Sequence, residues 1–304
     1  MCHSQALNPG IVSAPDLPGP RARRNDPHTV HCMRILESLT HGKHPDQHLC
    51  EDMLVLRPDL VAVIDGATDR TGRKIDFEGE SLSSGLFAAR VAAASLNRLP
   101  AGTDPIAAVS VLTHDFNAAV LTALGAVSPE DLPSASVVVY DDVLRVVWRL
   151  GDCSFRVDDR VEMGTKRIDQ VVTDFRIAYL TALTSATDVV DPDVDAAREL
   201  IRPLIRVQGV FANQPGEFGY GVLNGAPVPP AFIEIHPVPS AACDVVLASD
   251  GYPSLPADLA TAEAALVDLL TRDPGCTQIY RNTKGLRPGN LSYDDRAWVR
   301  LRLD

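Results

Sequence analysis

Apolar positions in this chain fall into three patterns: unbroken runs, alternation, and recurrence every three or four residues. Two unbroken runs end alike, Leu60-Val61-Ala62-Val63-Ile64-Asp65-Gly66 and Val245-Val246-Leu247-Ala248-Ser249-Asp250-Gly251. Such a run bounded by glycine predicts a strand buried on both faces. Short strands are expected around His31 to Leu36, at Met53–Leu56 and over Leu60–Ile64, the last two joined by the Pro58-Asp59 turn. Leu39 to His48 and the charged, Gly-bearing stretch Ala67 to Gly79 read as loops. Leu82, Leu86, Ala89, Ala93 and Leu96 then make one helical stripe. A second helix opens with Asp104 as cap and Pro105 at its first position, and its stripe is Ile106, Val109, Leu112 or Thr113, Phe116 and Val120.

Strands return as a hairpin, Ser136–Tyr140 and Val143–Leu150 about Asp141-Asp142, in which Leu144, Val146, Trp148 and Leu150 share a face. Cys153–Val157 continues as a strand, residues 169–209 read as two helices separated near Asp191-Pro192, and Gly216 to Gly225 is a glycine-rich loop. Phe232–His236 and Asp244–Ala248 are strands, Leu259–Leu270 is a helix, and Ala297 to Leu303 closes the chain as a strand. Blocks of strands and blocks of helices, without strict alternation, predict an α+β fold: a four-layer α/β/β/α sandwich of two antiparallel sheets flanked by helices. Proline-rich residues 1–28 are expected to form a flexible tail, and residues 29–304 one domain.

Aspartate is depleted in strands and rarely buried without a partner. Asp65 and Asp250 at the ends of core strands, with Asp294-Asp295 just before the closing strand, therefore point to a hard divalent cation such as Mn²⁺ or Mg²⁺. Two unshielded carboxylates about 4 Å apart repel by roughly 4 kcal/mol at an effective dielectric near 20, so a cluster of them calls for cations. A pair of such ions suits in-line hydrolysis of a phosphate ester.

The remaining composition narrows the field. A formal charge of −12 with no basic stripe argues against a nucleic-acid partner. The six cysteines show no CxxC spacing, and those beside apolar runs, Cys153 and Cys243, read as reduced core thiols. No apolar run is expected to span a membrane, and a cytoplasmic location is expected. There is no GxxxxGK[ST], GxSxG or HExxH signature.

Taken in order, five motifs resemble the metal-dependent PPM (PP2C-like) serine/threonine phosphatases. They are Glu51-Asp52 before a strand, Val63-Ile64-Asp65-Gly66, Gly151-Asp152 after a hairpin, Ala248-Ser249-Asp250-Gly251, and Asp294-Asp295 before the last strand. The resemblance spans roughly Thr29 to Leu303. It implies a PPM-type phosphatase domain that hydrolyses phosphoserine or phosphothreonine through a water bridging two Mn²⁺ or Mg²⁺ ions. It implies that Asp65 bridges both ions, that the Gly66 carbonyl binds one directly or through water, and that Asp250 and Asp294 complete the first ion's shell. Glu51 or Asp52 would hold waters of the second, Asp152 with Asp250 a third, and Asp295 would lie behind the ligands.

Two departures bear on the substrate. Asp65-Gly66-Ala67-Thr68-Asp69 lacks the histidine that usually follows, and no arginine stands before Glu51 where the family binds phosphate. Lys43, His44, His48 and Arg70 are the candidate substitutes. Alternative readings are a phosphatase for a small phosphorylated metabolite and a non-catalytic pseudophosphatase that binds a phosphoprotein or metabolite. The sequence leaves the oligomeric state open.

Overall fold

A computed structural model describes residues 33–68, 72–186 and 195–304. Along the chain lie β1 (Met33–His41), β2 (Asp52–Leu56), β3 (Leu60–Gly66), and the small hairpin β4 (Ile75–Phe77) and β5 (Glu80–Leu82). Next come helices α1 (Ser84–Arg98) and α2 (Pro105–Leu124). Strands β6 (Ala135–Asp141), β7 (Val146–Leu150), β8 (Ser154–Val157) and β9 (Arg160–Glu162) follow, then α3 (Arg167–Ala186) and α4 (Ala196–Val207). The chain closes with β10 (Glu234–Pro237), β11 (Cys243–Ala248), α5 (Leu259–Arg272) and β12 (Arg296–Leu303).

Two five-stranded sheets result, in the orders β1-β12-β11-β8-β9 and β10-β7-β6-β3-β2, and every pairing in them is antiparallel. The unbroken apolar runs are explained by the layers. Leu60, Ala62 and Ile64 of β3 pack against α1 and α2, whereas Val61 and Val63 face Val245, Leu247, Val299 and Leu301 of the other sheet. The outer face of that second sheet, Val246, Ala248 and Trp298, is covered by Tyr252 and Leu255 ahead of α5 and by Ala262 within it. This is the expected α/β/β/α sandwich. The helix pair α3 and α4 forms a further cluster with the 211–222 loop through Val172, Ile201 and Tyr220.

Local chemistry sets the helix ends. Ser83 caps α1 by accepting from the Leu86 N–H, and Asp104 caps α2 by accepting from the Ile106 and Ala107 N–H groups. Small residues on α1, Ala88, Ala89, Ala92 and Ala93, are buried and let the helix lie close on β3. At its C-terminus Arg57 donates to the carbonyls of Leu96 and Leu99 while pairing with Asp59.

Some expectations change. β1 runs on to His41, through part of the stretch read as a loop, because it pairs along its length with β12. The β4–β5 and β8–β9 hairpins lie where a loop and a single strand were expected. Contrary to expectation, α2 is long and apolar enough by length and composition to cross a membrane. Here its buried face (Val109, Leu112, Phe116, Val120) packs on the core, with the Phe87 and Phe116 rings edge to face. The expected tail at 1–28 and the helix break at Asp191-Pro192 lie outside the described residues.

Candidate functional site

Strand parity delivers the acids to one end of the sandwich. Asp65 follows Val61 and Val63 at period two, so it sits on the face turned to the other sheet. Asp52 lies directly opposite it in the β2–β3 ladder, and Ser136 opposite it in β3–β6. Across the gap, Ser249 and Asp250 leave the end of β11 while Asp294 and Asp295 enter β12. Ser249 joins the two by accepting the Ala297 N–H at 2.8 Å.

The glycines of both Asp-Gly pairs are demanded by backbone crossings. A Cβ on Gly66 would stand 2.6 Å from the Glu51 carbonyl oxygen, and one on Gly251 would run into the Asp295 carbonyl and sit 2.7 Å from the Arg296 Cβ. Glycine permits this close approach, and the aspartate before it is thereby brought against the neighbouring strand. The Gly66 N–H donates to the Glu51 carbonyl at 3.1 Å.

Lysines occupy much of the acidic cluster. Lys43 Nζ lies 2.8 Å from Asp295 Oδ2, 3.3 Å from Asp294 Oδ1, 3.4 Å from Glu51 Oε2 and 3.2 Å from Thr68 Oγ1. Lys284 pairs with Asp294 Oδ2, and Lys166 with Asp152 Oδ2 at 2.6 Å. Burial opposes charge on Asp294, but Lys284 and Lys43 outweigh it and push its carboxyl down to about 2. Burial likewise opposes the charge on Asp152, and Lys166 holds it below the ordinary carboxylate range.

The other acids lack such partners. Desolvation, then the charges of Asp250 and Asp52, push Asp65 well above the ordinary carboxylate value. Desolvation and Asp294 push Asp250 up to about 7. Burial and Asp295 raise Asp52, whose Oδ2 is buried without a hydrogen-bond partner. Among the described residues neither Asp65 nor Asp250 has an ion pair.

At one corner of the cluster the donor chemistry suits a divalent cation. The orphaned Asp52 Oδ2 and the mutually repelling Asp65 and Asp250 are hard oxygen donors without an ion pair of their own, and the charges of Lys284 and Lys166 only partly offset the repulsion at Asp250. Among the described residues, that corner included, no three or more His, Cys, Asp or Glu side chains stand assembled around a metal position. Glu51, Asp152 and Asp294, expected to serve metal ions, are instead turned to lysines or hydroxyls.

A cavity of about 470 Å³ opens over the cluster, with Asp65, Asp152, Asp250 and Asp294 in its lining. Arg198 of α4, Lys166, Lys284 and Arg287 bring positive charge to it. Burial and the neighbouring Arg287 and Arg176 guanidinium groups depress Arg198 to about 10. These basic groups were not anticipated. Only the four-residue spacing of Arg198, Arg202 and Arg206 hinted at a basic helix face.

The anticipated substitutes for a phosphate-binding arginine fall elsewhere. His48 is exposed on a 3₁₀ turn (Gln47–Leu49) and does not line the cavity. His44 accepts the Asp46 N–H at 3.1 Å, also away from it. Lys43, expected to meet substrate, is paired with three carboxylates and does not line the cavity. Arg70 lies outside the described residues.

No family model and no curated protein matches the chain. Solved structures do resemble it. The catalytic domain of the serine threonine protein phosphatase PstP in complex with 2 manganese ions shares 16% identity, covering 90% of this chain and 99% of that one, with a TM-score of 0.46. The PPM Ser-Thr phosphatase MsPP from Mycobacterium smegmatis in complex with cacodylate shares 16% over 88% of this chain and 98% of that one, at 0.41. RsbX in complex with magnesium shares 10% over 90% and 100%, at 0.40. At such identities the functional reading is left to the residues of this chain.

Proposed function

We propose that this chain is a PPM-type phosphatase that hydrolyses phosphate monoesters with Mn²⁺ or Mg²⁺, acting on phosphoserine or phosphothreonine of proteins. The observation that carries the reading is the convergence of Asp65, Asp250 and the orphaned Asp52 Oδ2 beneath a cavity walled by Arg198, Lys284 and Arg287. An acidic floor suits a cation, and a basic wall above it suits the phosphate dianion that the cation would bind. The solved structures with manganese and magnesium support the choice of metal.

Asp65, Asp250 and Asp52 would hold the ion, which when bound acidifies a water and polarises a phosphoryl oxygen. The chain's own residues set the rest. Lys284 both neutralises Asp294 and presents positive charge to the cavity. Arg198 and Arg287 repel each other in the absence of an anion, and a phosphate between them relieves that repulsion. No histidine lines the cavity among the described residues. An alkyl leaving group therefore receives its proton without an imidazole donor, whereas an aryl leaving group needs none.

Hydrolysis of p-nitrophenyl phosphate consequently tests the centre itself. Wild-type protein is expected to turn it over in Mn²⁺, and Asp65→Asn or Asp250→Asn to abolish turnover while leaving the circular dichroism spectrum unchanged. A wild-type protein that is inert across Mn²⁺, Mg²⁺ and pH overturns the catalytic reading in favour of a non-catalytic phosphate-binding protein. That second reading draws on the lysines already seated in the acidic cluster. Phosphopeptide and phosphometabolite panels then separate a protein substrate from a small one.

A further inference from the structure

Acceptor by acceptor, four of the clustered acids, Glu51, Asp152, Asp294 and Asp295, are engaged. Glu51 Oε1 takes the Ser83 hydroxyl at 2.6 Å and Oε2 faces Lys43 Nζ. Asp295 Oδ1 takes the Lys43 N–H at 2.7 Å, while its Oδ2 takes Lys43 Nζ and the Glu51 N–H. Asp294 Oδ1 takes Lys43 Nζ and the Asp295 N–H at 3.0 Å, and its Oδ2 pairs with Lys284. Asp152 Oδ1 takes the Ser136 hydroxyl at 2.5 Å and Oδ2 the Lys166 ammonium. Lys166 is further fixed by the Tyr220 ring, whose centroid lies 5.3 Å from Nζ. What remains open among the described residues is Asp65, Asp250 and one oxygen of Asp52, a residue 5% exposed.

We propose that Lys43 and Lys166 stand in the places of further divalent cations, so that the centre takes a single divalent ion, held by Asp65, Asp250 and the open oxygen of Asp52. The proposal rests on the metal-dependent reading above. A Mg²⁺ or Mn²⁺ ion bridging Glu51 to Asp294 needs ligand oxygens at roughly 2.0–2.2 Å. The ammonium of Lys43, within 3.4 Å of both carboxylates, already fills that space and repels a second cation from it. An ion using Asp152 would have to break two short hydrogen bonds and strand a lysine whose side chain is 13% exposed. The chain thus spends protein cations where other arrangements of the same carboxylates would call for metal. Lysine is a compact ammonium on a flexible stem, which suits it to this place better than the broad fork of arginine.

The test is the number of Mn²⁺ ions bound, read by equilibrium dialysis with elemental analysis, and their spin coupling, read by electron paramagnetic resonance. Wild-type protein is expected to bind one Mn²⁺ per chain with the six-line signal of an isolated ion. Lys43→Gln is expected to bind a second, and the spectrum to acquire the exchange coupling of neighbouring ions. Lys166→Gln, independently, is expected to gain an ion near Asp152. Two coupled ions in the wild type overturn the proposal and leave the phosphatase reading standing. No Mn²⁺ at all overturns the metal-dependent reading, and this proposal with it. A folded Lys43→Gln that stays at one ion overturns the role given to Lys43. The wild-type count decides the matter even where a variant fails to fold.

Discussion

Replacing Arg176 by methionine removes a guanidinium that ties α3 to the wall of the cavity. Arg176 is 2% exposed and donates to Asp195 Oδ2 at 2.9 and 2.5 Å, to the Gly275 and Asn282 carbonyls at 2.9 Å each, and to the Cys276 carbonyl at 3.4 Å. Breaking a buried ion pair from one side typically costs about 3–5 kcal/mol. Asp195 itself is 29% exposed, so water recovers part of that loss. The carbonyls left dry add about 1 kcal/mol or more each, while the buried methionine returns about 1.5–3 kcal/mol. A net loss of about 3 kcal/mol follows, which lowers the melting temperature by roughly 6–12 °C for a domain of this size. The segment released carries Arg281, Lys284 and Arg287 of the cavity lining, so kcat/KM for p-nitrophenyl phosphate should fall as well. Thermal denaturation by circular dichroism checks the first outcome, with the exposed Arg202→Met as a control expected to stay within about 0.5 kcal/mol. An Arg176→Met protein that melts within a degree or two of wild type refutes the reasoning.

Three further outcomes follow from named contacts. Gly251→Ala drives a Cβ into the Asp295 carbonyl and parts the ends of β11 and β12. It is expected to cost about 1–3 kcal/mol by overpacking and on the order of 10²-fold in kcat through misplacement of Asp250. Burial opposes the charge of Asp273, but the N–H groups of Thr277, Gln278, Ile279 and Tyr280 hold its carboxyl below the ordinary range. A depressed folded value means stability that is full above about pH 4 and lost as pH falls through it. Asp273→Asn should therefore flatten the drop in melting temperature between about pH 5 and about pH 3, and an unchanged drop would exclude that role. Asp104→Ala removes the cap that accepts the Ile106 and Ala107 N–H groups at 3.0 and 3.2 Å. It should cost about 1 kcal/mol in thermal unfolding and leave turnover unchanged, since Asp104 does not line the cavity.

What was legible in the sequence was whatever local periodicity encodes. β3 and β11 announced themselves because both faces are buried, which removes the alternation that marks a half-exposed strand. The cap and first-turn proline of α2 located its start to the residue. β1 was cut short because it is an edge strand with a half-exposed pattern, and its partner β12 lies at the far end of the chain. The β4–β5 hairpin has strands too short for any period to register. Lys43 was named as a candidate group of the site, but its pairing with the carboxylates, like that of Lys166 and Lys284, was invisible for a different reason. Lys43 is 251 positions from Asp294, and no spacing rule links an ammonium to a carboxylate that only the fold brings near.

The Asp-Gly pairs show where local and tertiary information meet. The aspartate could be placed by counting from Val61 or Val245 along a strand of period two. The glycine after it first looks like a turn residue, yet Gly66 ends a strand that is still paired, and neither it nor Gly251 takes a positive φ. Its function is steric: Glu51 and Asp295 cross so near that no side chain fits between the backbones. The same crossing crowds carboxylates from both sheets into one corner. Crowding that forces glycine also forces charge compensation, and this chain answers with lysine at Asp294, Asp295 and Asp152 while leaving Asp65 and Asp250 open. The open pair is what a metal ion would neutralise, so the backbone crossing and the proposed chemistry share one structural cause.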